Sequence, residues 1–249
     1  YEEEVQLARE IQQIQVQPDY PDVAARGKTL NFCSAYLPTS GLAGDFYKVI
    51  PLSSHKVGVL ICDVMGHGVR SALVVAMLHG LLERQQKHQK GASDYLESLN
   101  DDLCSTLKRA ETTIFATAFY GIIDLKRQTL SYATAGHPGA LVADKDGVRQ
   151  LCQDREDKGP GLGLVENAKF PCNQISTRDV YRLLLFTDGV IEAENQNNKE
   201  EFGLKRLKHC IAHSAALPLD DLLQRILSEA RQFTESDSFD DDVCLLAVG

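Results

Sequence analysis

Four strongly apolar segments of this 249-residue sequence border an aspartate, and this arrangement constrains the fold more than any other feature. The aspartates are Asp45 in GLAGDFY, Asp63 in ICDVMGHG, Asp188 in LLLFTDGV, and the run 240–242 before VCLLAV. A strand end projects a carboxylate from a rigid scaffold, and a neighbouring glycine lets the backbone turn sharply. Asp63 continues the buried face of the alternating segment KVGVLICDV, where a bound cation would compensate its charge.

Carboxylates of this kind predict hard cations, because oxygen-only ligation selects Mg²⁺ or Mn²⁺ over zinc. Two such ions about 3.5–4 Å apart can share a water, lower its pKa and hold a phosphoryl group for in-line displacement. Taken singly, each aspartate is better explained as a turn residue or a helix cap. The metal interpretation therefore depends on the four strand ends converging in space.

Apolar periodicity predicts an α+β fold, in which helices cover antiparallel sheets. Predicted strands are NFCSAYL, DFYKVIPL, KVGVLICDV, FATAFYGIID, TLSYATA, ALVAD, VRQLC, NQISTR, VYRLLLF and DVCLLAVG. Predicted helices run from Ser71 to about His88, from about 93 to 108, and over about 202–213 and 219–233. The turns LKRQ and KDG predict hairpins. Paired helices argue against a doubly wound parallel sheet.

Residues 1–17 form a predicted helix with a narrow apolar stripe of Leu7, Ile11 and Ile14. Such a helix packs on a partner or connects two domains, and a frayed terminal helix is an equal alternative. We expect residues 1–20 to be a linker helix from an upstream domain, and residues 21–249 to be one domain.

Composition excludes several classes of function. The net charge of −9, from 26 basic and 35 acidic residues, argues against nucleic acid as a partner. The basic residues are scattered along the sequence, apart from short clusters such as Lys205, Arg206 and Lys208. No segment has the twenty or so apolar residues of a membrane span. Seven cysteines without a CxxC pair indicate buried thiols in a reducing compartment, and we expect a cytoplasmic protein.

The ordered set GDFY, DVMGHG, FATAFYGIIDLKRQTLSYATAGHPGALV, LLLFTDGVIEAEN, EEFG and DDVCLLAV resembles the PPM metal-dependent phosphatases. Within them it is most similar to the bacterial SpoIIE-type branch, which is related to protein phosphatase 2C. The resemblance covers about residues 30–249, and LAREIQQ resembles the segment that often precedes this domain. It implies a four-layer α-β-β-α sandwich of two antiparallel sheets flanked by helix pairs. It also implies a serine/threonine protein phosphatase.

The resemblance further implies a site with two divalent cations, Mn²⁺ or Mg²⁺. Asp63 would bridge both ions, and the backbone carbonyl of Val64 would bind one of them. Asp188 and Asp241 would complete the shell of the second ion, and Asp45 would act mostly through metal-bound water. Asp241 is chosen over its neighbours because the family pattern aligns on Asp241-Asp242.

Two histidines also match positions of the family. His67 corresponds to a proposed general acid for the leaving serine oxygen, and a histidine that only orients a metal-bound water is an equal alternative. His137 in AGHPG corresponds to a position for which we expect a structural role. Gly66 and Gly68 would permit the tight turn into the following helix.

The branch usually acts on phosphoserine or phosphothreonine of a STAS-domain, anti-anti-sigma-like protein in a partner-switching pathway. The resemblance also implies an upstream sensor or receiver domain and a possible homodimer through the N-terminal helix. The helices within 69–108 would be the element that a signal shifts. Two alternatives stay open: a small-molecule phosphate-ester hydrolase and a non-catalytic binding module of the same fold. A haloacid-dehalogenase-type mechanism is excluded, because Phe186 stands where its nucleophilic aspartate would be.

Overall fold

The computed structural model of the chain describes residues 6–10, 12, 19–39, 41–66, 68–85, 91–108 and 114–249. It contains two five-stranded antiparallel sheets packed face to face, and a pair of helices covers the outer face of each sheet. The predicted α+β class and the four-layer order are therefore confirmed. None of the helices in these ranges is both long and apolar enough to cross a membrane.

The strands are β1 (Ala24–Ala25), β2 (Lys28–Thr29), β3 (Phe32–Leu37), β4 (Asp45–Ser53), β5 (Lys56–Val64), β6 (Ala116–Asp124), β7 (Thr129–Ala135), β8 (Leu141–Asp144), β9 (Gly147–Gln150), β10 (Asn173–Ser176), β11 (Arg182–Phe186) and β12 (Val243–Val248). The helices are α1 (Val69–Gln85), α2 (Ala92–Leu107), α3 (Gly203–Ala212) and α4 (Leu219–Thr234). Short 3₁₀ helices cover Arg155–Asp157 and Asp188–Val190. The small β1–β2 hairpin and both 3₁₀ helices were not predicted.

The first sheet has the order β10-β7-β6-β5-β4, and the second has the order β3-β12-β11-β8-β9. Both predicted hairpins are present, because β6 pairs with β7 and β8 pairs with β9 in antiparallel register. The last strand of the sequence, β12, lies between β3 and β11. It therefore joins the N-terminal part of the chain to the C-terminal part.

Successive side chains of β4 and β5 point to opposite faces of the first sheet and so belong to two different apolar layers. Phe46 and Leu60 pack under α1 and α2, while Val59 and Ile61 pack in the layer between the sheets. Asp63 has the same parity as Ile61, so it belongs to the inter-sheet face at the end of the strand. The prediction that Asp63 continues the face of β5 that packs between the sheets is thus confirmed.

The helix boundaries differ slightly from those predicted. α1 begins at Val69 rather than Ser71, and its predicted end near His88 lies outside the described residues. Residues 6–10 and 12 are helical, as predicted for the N-terminal segment. Leu7 is exposed there, while the other two residues of its predicted stripe lie outside the described ranges.

α1 offers a matched pair for testing the core. Leu78 is fully buried beneath the helix pair, whereas Leu73 is 66% exposed on the same helix. We expect Leu78→Ala to lower the free energy of unfolding by about 2–5 kcal/mol through lost burial and a residual cavity. Leu73→Ala should change it by less than about 0.5 kcal/mol. Urea denaturation of both variants measures this, and equal losses would contradict the layer assignment.

Candidate metal centre

Two of the predicted aspartates are direct neighbours across the first sheet. Asp45 is the first residue of β4 and pairs in register with Asp63 near the end of β5. Directly opposed residues of an antiparallel pair have Cβ atoms about 4.5–5.5 Å apart on one face. Thr117 of β6 pairs with Asp63 on the other side. The first sheet therefore presents a row of Asp45, Asp63 and Thr117 at its inter-sheet edge.

The other two predicted aspartates come from the second sheet. Asp188 follows β11 and begins a 3₁₀ helix, while Asp241 lies just before β12. These segments touch at Gly189, where an added Cβ would lie 2.1 Å from the carbonyl oxygen of Asp242. Only glycine permits this close approach of two backbones. Asp188 and Asp241 are thus held side by side.

Electrostatic interactions among the four aspartates indicate that their carboxylates lie near one another. Burial raises the pKa of Asp63 to about 7, and repulsion from Asp188 and then Asp241 adds to the shift. Burial also raises the pKa of Asp45 well above its ordinary value, with Asp63 as the next cause. The pKa of Asp188 is raised by burial and by Asp241. The strand ends of both sheets therefore converge.

The four aspartates lie near one another, but their side chains are not arranged as the coordination shell of a metal ion. Within the described residues, no group of three or more His, Cys, Asp or Glu side chains already stands in an arrangement that could hold a metal ion. The Oδ2 atom of Asp45 is buried and has no hydrogen-bond partner among the residues that the structure describes. A buried carboxylate oxygen without a donor, beside carboxylates that repel it, fits a cation, and an all-oxygen donor set fits Mg²⁺ or Mn²⁺.

The turn after β5 carries two further predicted residues. Val64 ends β5, and its amide donates to the carbonyl oxygen of Gly44 at 3.1 Å. Gly66 and Gly68 have φ angles of +86° and +84°, as a tight turn into α1 requires. His67 lies outside the described residues. Its predicted role stays a prediction.

The aspartate run before β12 divides into distinct roles. Asp242 is buried, and it accepts hydrogen bonds from the Thr39 amide at 2.8 Å and the Gly44 amide at 2.9 Å. Asp241 is exposed and contributes to the raised pKa of Asp63. Both oxygens of Asp242 accept backbone amides, whereas Asp241 accepts the Asp242 amide through Oδ1 at 2.8 Å, and this difference favours Asp241 over Asp242 as the cation ligand.

His137 is buried where the two sheets meet and connects them. Its Nε2 lies 3.0 Å from the carbonyl oxygen of Phe186, and its Nδ1 lies 2.7 Å from Thr117 Oγ1. Burial lowers the pKa of His137 to about 4, so the ring is neutral near pH 7. A carbonyl only accepts, hence Nε2 carries the proton and Nδ1 accepts from the Thr117 hydroxyl. The oxygen of Thr117 keeps its lone pairs for acceptor roles beside Asp63.

Sequence reasoning missed four residues around the site. Thr117 and Asp242 are placed by register and by long-range hydrogen bonds. Thr187 is fully buried, and its Oγ1 accepts from the Cys244 amide at 3.0 Å. Partial burial and then Asp188 raise the pKa of Glu192 at the rim. Only Asp242 had a sequence signal, because it stands in the same acidic run as Asp241.

Comparison with known proteins identifies the class of this fold and site. The family model for stage II sporulation protein E (SpoIIE) matches residues 53–249. The chain belongs to the SpoIIE family.

Individual relatives agree with this family. The chain is 31% identical over 247 residues to the phosphoserine phosphatase RsbP of Bacillus subtilis (strain 168), covering 98% of this chain and 57% of RsbP. Among solved structures, it is similar to the SiaA-PP2C domain of Pseudomonas aeruginosa, with a TM-score of 0.76 and 18% identity over 87% of this chain and 84% of that one. It also resembles RsbX in complex with magnesium, with a TM-score of 0.63 and 13% identity over 92% and 98% of the two chains. The chain spans about half the length of the curated relatives it matches.

The buried hydrogen bonds and the lowered pKa of His137 predict how the stability of the fold depends on pH. A histidine whose folded-state pKa is lowered stabilises the fold above its unfolded pKa of 6.5, and this contribution is lost as pH falls toward 4. His137→Asn should therefore lower the free energy of unfolding by about 1–3 kcal/mol at pH 7.5. The difference in this free energy between the variant and wild type should be smaller at pH 5. Urea denaturation in EDTA at both pH values measures it.

His209→Asn on α3 is the control for the loss of an imidazole, because His209 is exposed. We expect it to change stability by less than about 0.5 kcal/mol at both pH values. If the difference in unfolding free energy between His137→Asn and wild type stays constant or grows at pH 5, the assignment of a buried, neutral His137 ring is wrong.

Proposed function

We propose that this chain is a metal-dependent serine/threonine protein phosphatase that hydrolyses phosphoserine or phosphothreonine on a partner protein. The observation that carries the proposal is the convergence of Asp45, Asp63, Asp188 and Asp241 at one end of the inter-sheet layer. A fold alone does not define an activity, and the proposal therefore rests on this site.

Asp63, Asp188, Asp241 and the Val64 carbonyl would hold two divalent cations, with Asp45 acting mostly through bound water. When bound, such cations lower the pKa of water and neutralise the charge of a phosphoryl group. The buried, unpartnered Oδ2 of Asp45 and the raised pKa of Asp63 support this assignment, since both would be relieved by positive charge. RsbX, a protein of similar fold, has been solved with magnesium.

The chain's own polar groups support the site in separable ways. Asp242 holds the Gly44 amide and thereby fixes the segment that enters β4 at Asp45. Thr117 donates to His137 and offers its lone pairs beside Asp63, where they can orient an incoming water. His67 either protonates the leaving serine oxygen or orients water. These roles need no covalent intermediate on the protein.

The proposed substrate is a phosphorylated protein, specifically a STAS-domain regulator of a partner-switching pathway. Two lines of support are the motif resemblance to the SpoIIE-type branch and the similarity to RsbP, itself named a phosphoserine phosphatase. The net charge of −9 gives no support to nucleic-acid substrates.

Replacement of Asp63 tests the metal-dependent activity. Asp63→Asn keeps the shape of the side chain but removes its charge, so Mn²⁺-dependent hydrolysis of p-nitrophenyl phosphate and of a phosphoserine protein should fall by more than about 10²-fold. Loss of outer-shell partners alone costs about 10–100-fold at metal sites. Asp240→Asn is the matched control, because Asp240 is an exposed neighbour of the same acidic run, and its activity should stay near wild type.

The same assay separates the rival functions. Turnover of nucleotides or sugar phosphates well above that of phosphoproteins would favour a small-molecule hydrolase. A well-folded wild-type chain that is inactive with Mn²⁺ and with Mg²⁺ would favour a non-catalytic binding module. Equal activity of Asp63→Asn and wild type would contradict the proposed site.

The role of His67 makes a prediction about leaving groups. A general acid matters most when the leaving oxygen is basic, as in phosphoserine, and least for p-nitrophenolate. If His67 protonates the leaving group, His67→Ala should lower kcat on phosphoserine peptide by about 10²–10⁴-fold, with a much smaller loss on p-nitrophenyl phosphate. Equal losses on both substrates would identify His67 as a residue that orients water.

We also propose that residues 1–20 form a linker helix and residues 21–249 the catalytic domain. The helix would connect to an upstream sensor or receiver domain and would support a homodimer. The described part of the proposed linker helix contacts the proposed catalytic domain through Arg9 and Gln12. A chain of residues 21–249 that keeps a cooperative unfolding transition would support the proposed boundary.

A further inference from the structure

Gln12 makes an unusual buried contact outside the site. Its Nε2 donates to the carbonyl oxygen of Ala43 at 2.8 Å, and its Oε1 accepts from the Ala43 amide at 2.9 Å. The side chain is only 7% exposed, although it lies on a helix near the start of the chain. One carboxamide thus satisfies both backbone groups of a single residue, as a neighbouring strand would.

The segment that Gln12 holds leads directly to the candidate metal centre. Ala43 is followed by Gly44 and then by Asp45. The carbonyl oxygen of Gly44 accepts from the Val64 amide at 3.1 Å. A Cβ added to Gly44 would lie 2.8 Å from the Val64 carbonyl oxygen, so the two backbones are in close contact. Two residues assigned to cation binding therefore adjoin the segment that Gln12 fixes.

Two further contacts hold the same segment from either side. Arg9 Nε donates to the Gly41 carbonyl oxygen at 3.0 Å from the same helix, and Asp242 accepts from the Gly44 amide at 2.9 Å from the second sheet. Without Gln12, both backbone groups of Ala43 would lose their partners in a buried environment. An unpaired buried amide or carbonyl is costly, so the segment would shift to find other partners.

We propose that Gln12 is a positioning residue for the metal centre, acting through Ala43 and Gly44 on Asp45 and the Val64 carbonyl. This inference rests on the proposed function, since it needs the cation site to be real. Gln12 touches neither substrate nor cation. Its carboxamide sets where the 41–44 segment lies, and thereby the spacing between β4 and the turn after β5.

The test compares Gln12→Leu with Gln6→Leu. Leucine has similar bulk and good helix propensity, so both changes leave the helix itself favourable. Gln6 is exposed, and its Nε2 donates to Glu10 of the same helix at 3.4 Å. Two quantities are measured on the full 249-residue chain: amide hydrogen exchange of Ala43 and Val64 in EDTA, and the Mn²⁺ dissociation constant by calorimetry.

We expect Gln12→Leu to speed exchange at both amides and to weaken Mn²⁺ binding by about 10-fold or more, within the range known for outer-shell partners of metal sites. Gln6→Leu should match wild type in both. Faster exchange at Ala43 alone, with unchanged Val64 exchange and Mn²⁺ affinity, would make Gln12 a mere anchor of the helix and would overturn the inference. A wild-type chain that binds no Mn²⁺ would overturn the proposed function as well.

Gln12→Glu provides a second variant that keeps the side-chain length. A protonated glutamate can donate to the Ala43 carbonyl and accept from its amide, whereas the ionised form can only accept, and burial favours protonation. The ratio of its Mn²⁺ dissociation constant to that of wild type should therefore fall toward one as pH decreases from 8 to 5.5. A ratio that rises over this range would overturn the proposed role of the two hydrogen bonds.

Discussion

The crowding of four carboxylates, from the buried Asp45 to the exposed Asp241, is the constraint around which this structure is arranged. Asp45 and Asp63 face each other across the first sheet, and Asp188 and Asp241 approach them from the second. Charge of one sign is unfavourable in such a place, as the raised pKa values of Asp45 and Asp63 express. A scaffold of two sheets tolerates this arrangement because the apolar layers beneath it supply the stability that the site does not.

Neutral hydrogen bonds keep the two sheets aligned at the charged end. His137 spans from Thr117 in the first sheet to the Phe186 carbonyl in the second, and Thr187 is tied to Cys244 of β12. His137 and Thr187 are buried and uncharged, so these hydrogen bonds hold the two sheets together beside the aspartates without adding charge. The convergence of the site is thus a property of the sandwich rather than of any one loop.

Local pattern predicted much of this molecule, and long-range pairing explains what it missed. The two-residue alternation of apolar side chains in β5 predicted that Asp63 lies on a buried face. The spacing of apolar segments predicted the ten main strands and the four paired helices. Whether Asp45 would face Asp63 depends on strand register, which a single sequence does not specify. Asp242 and Thr117 act through partners far away in sequence, so the acidic run marked the position of Asp242 but not its role, and Thr117 had no local signal. α1 begins two residues before the predicted Ser71, because the turn ends at Gly68, whose φ is +84°, and Val69 is already helical.

The position of β12 has a consequence for the order of assembly. This strand is last in the sequence yet interior in its sheet, between β3 and β11. The residues just before it bring Asp241 to the site and hold Gly44 through Asp242. During synthesis, a nascent chain that has not yet released these residues can form the first sheet but lacks the interior strand of the second. Contacts spanning about two hundred residues close last, and they slow folding. The aspartates of the two sheets therefore cannot converge before β12 and the residues just before it have been synthesised.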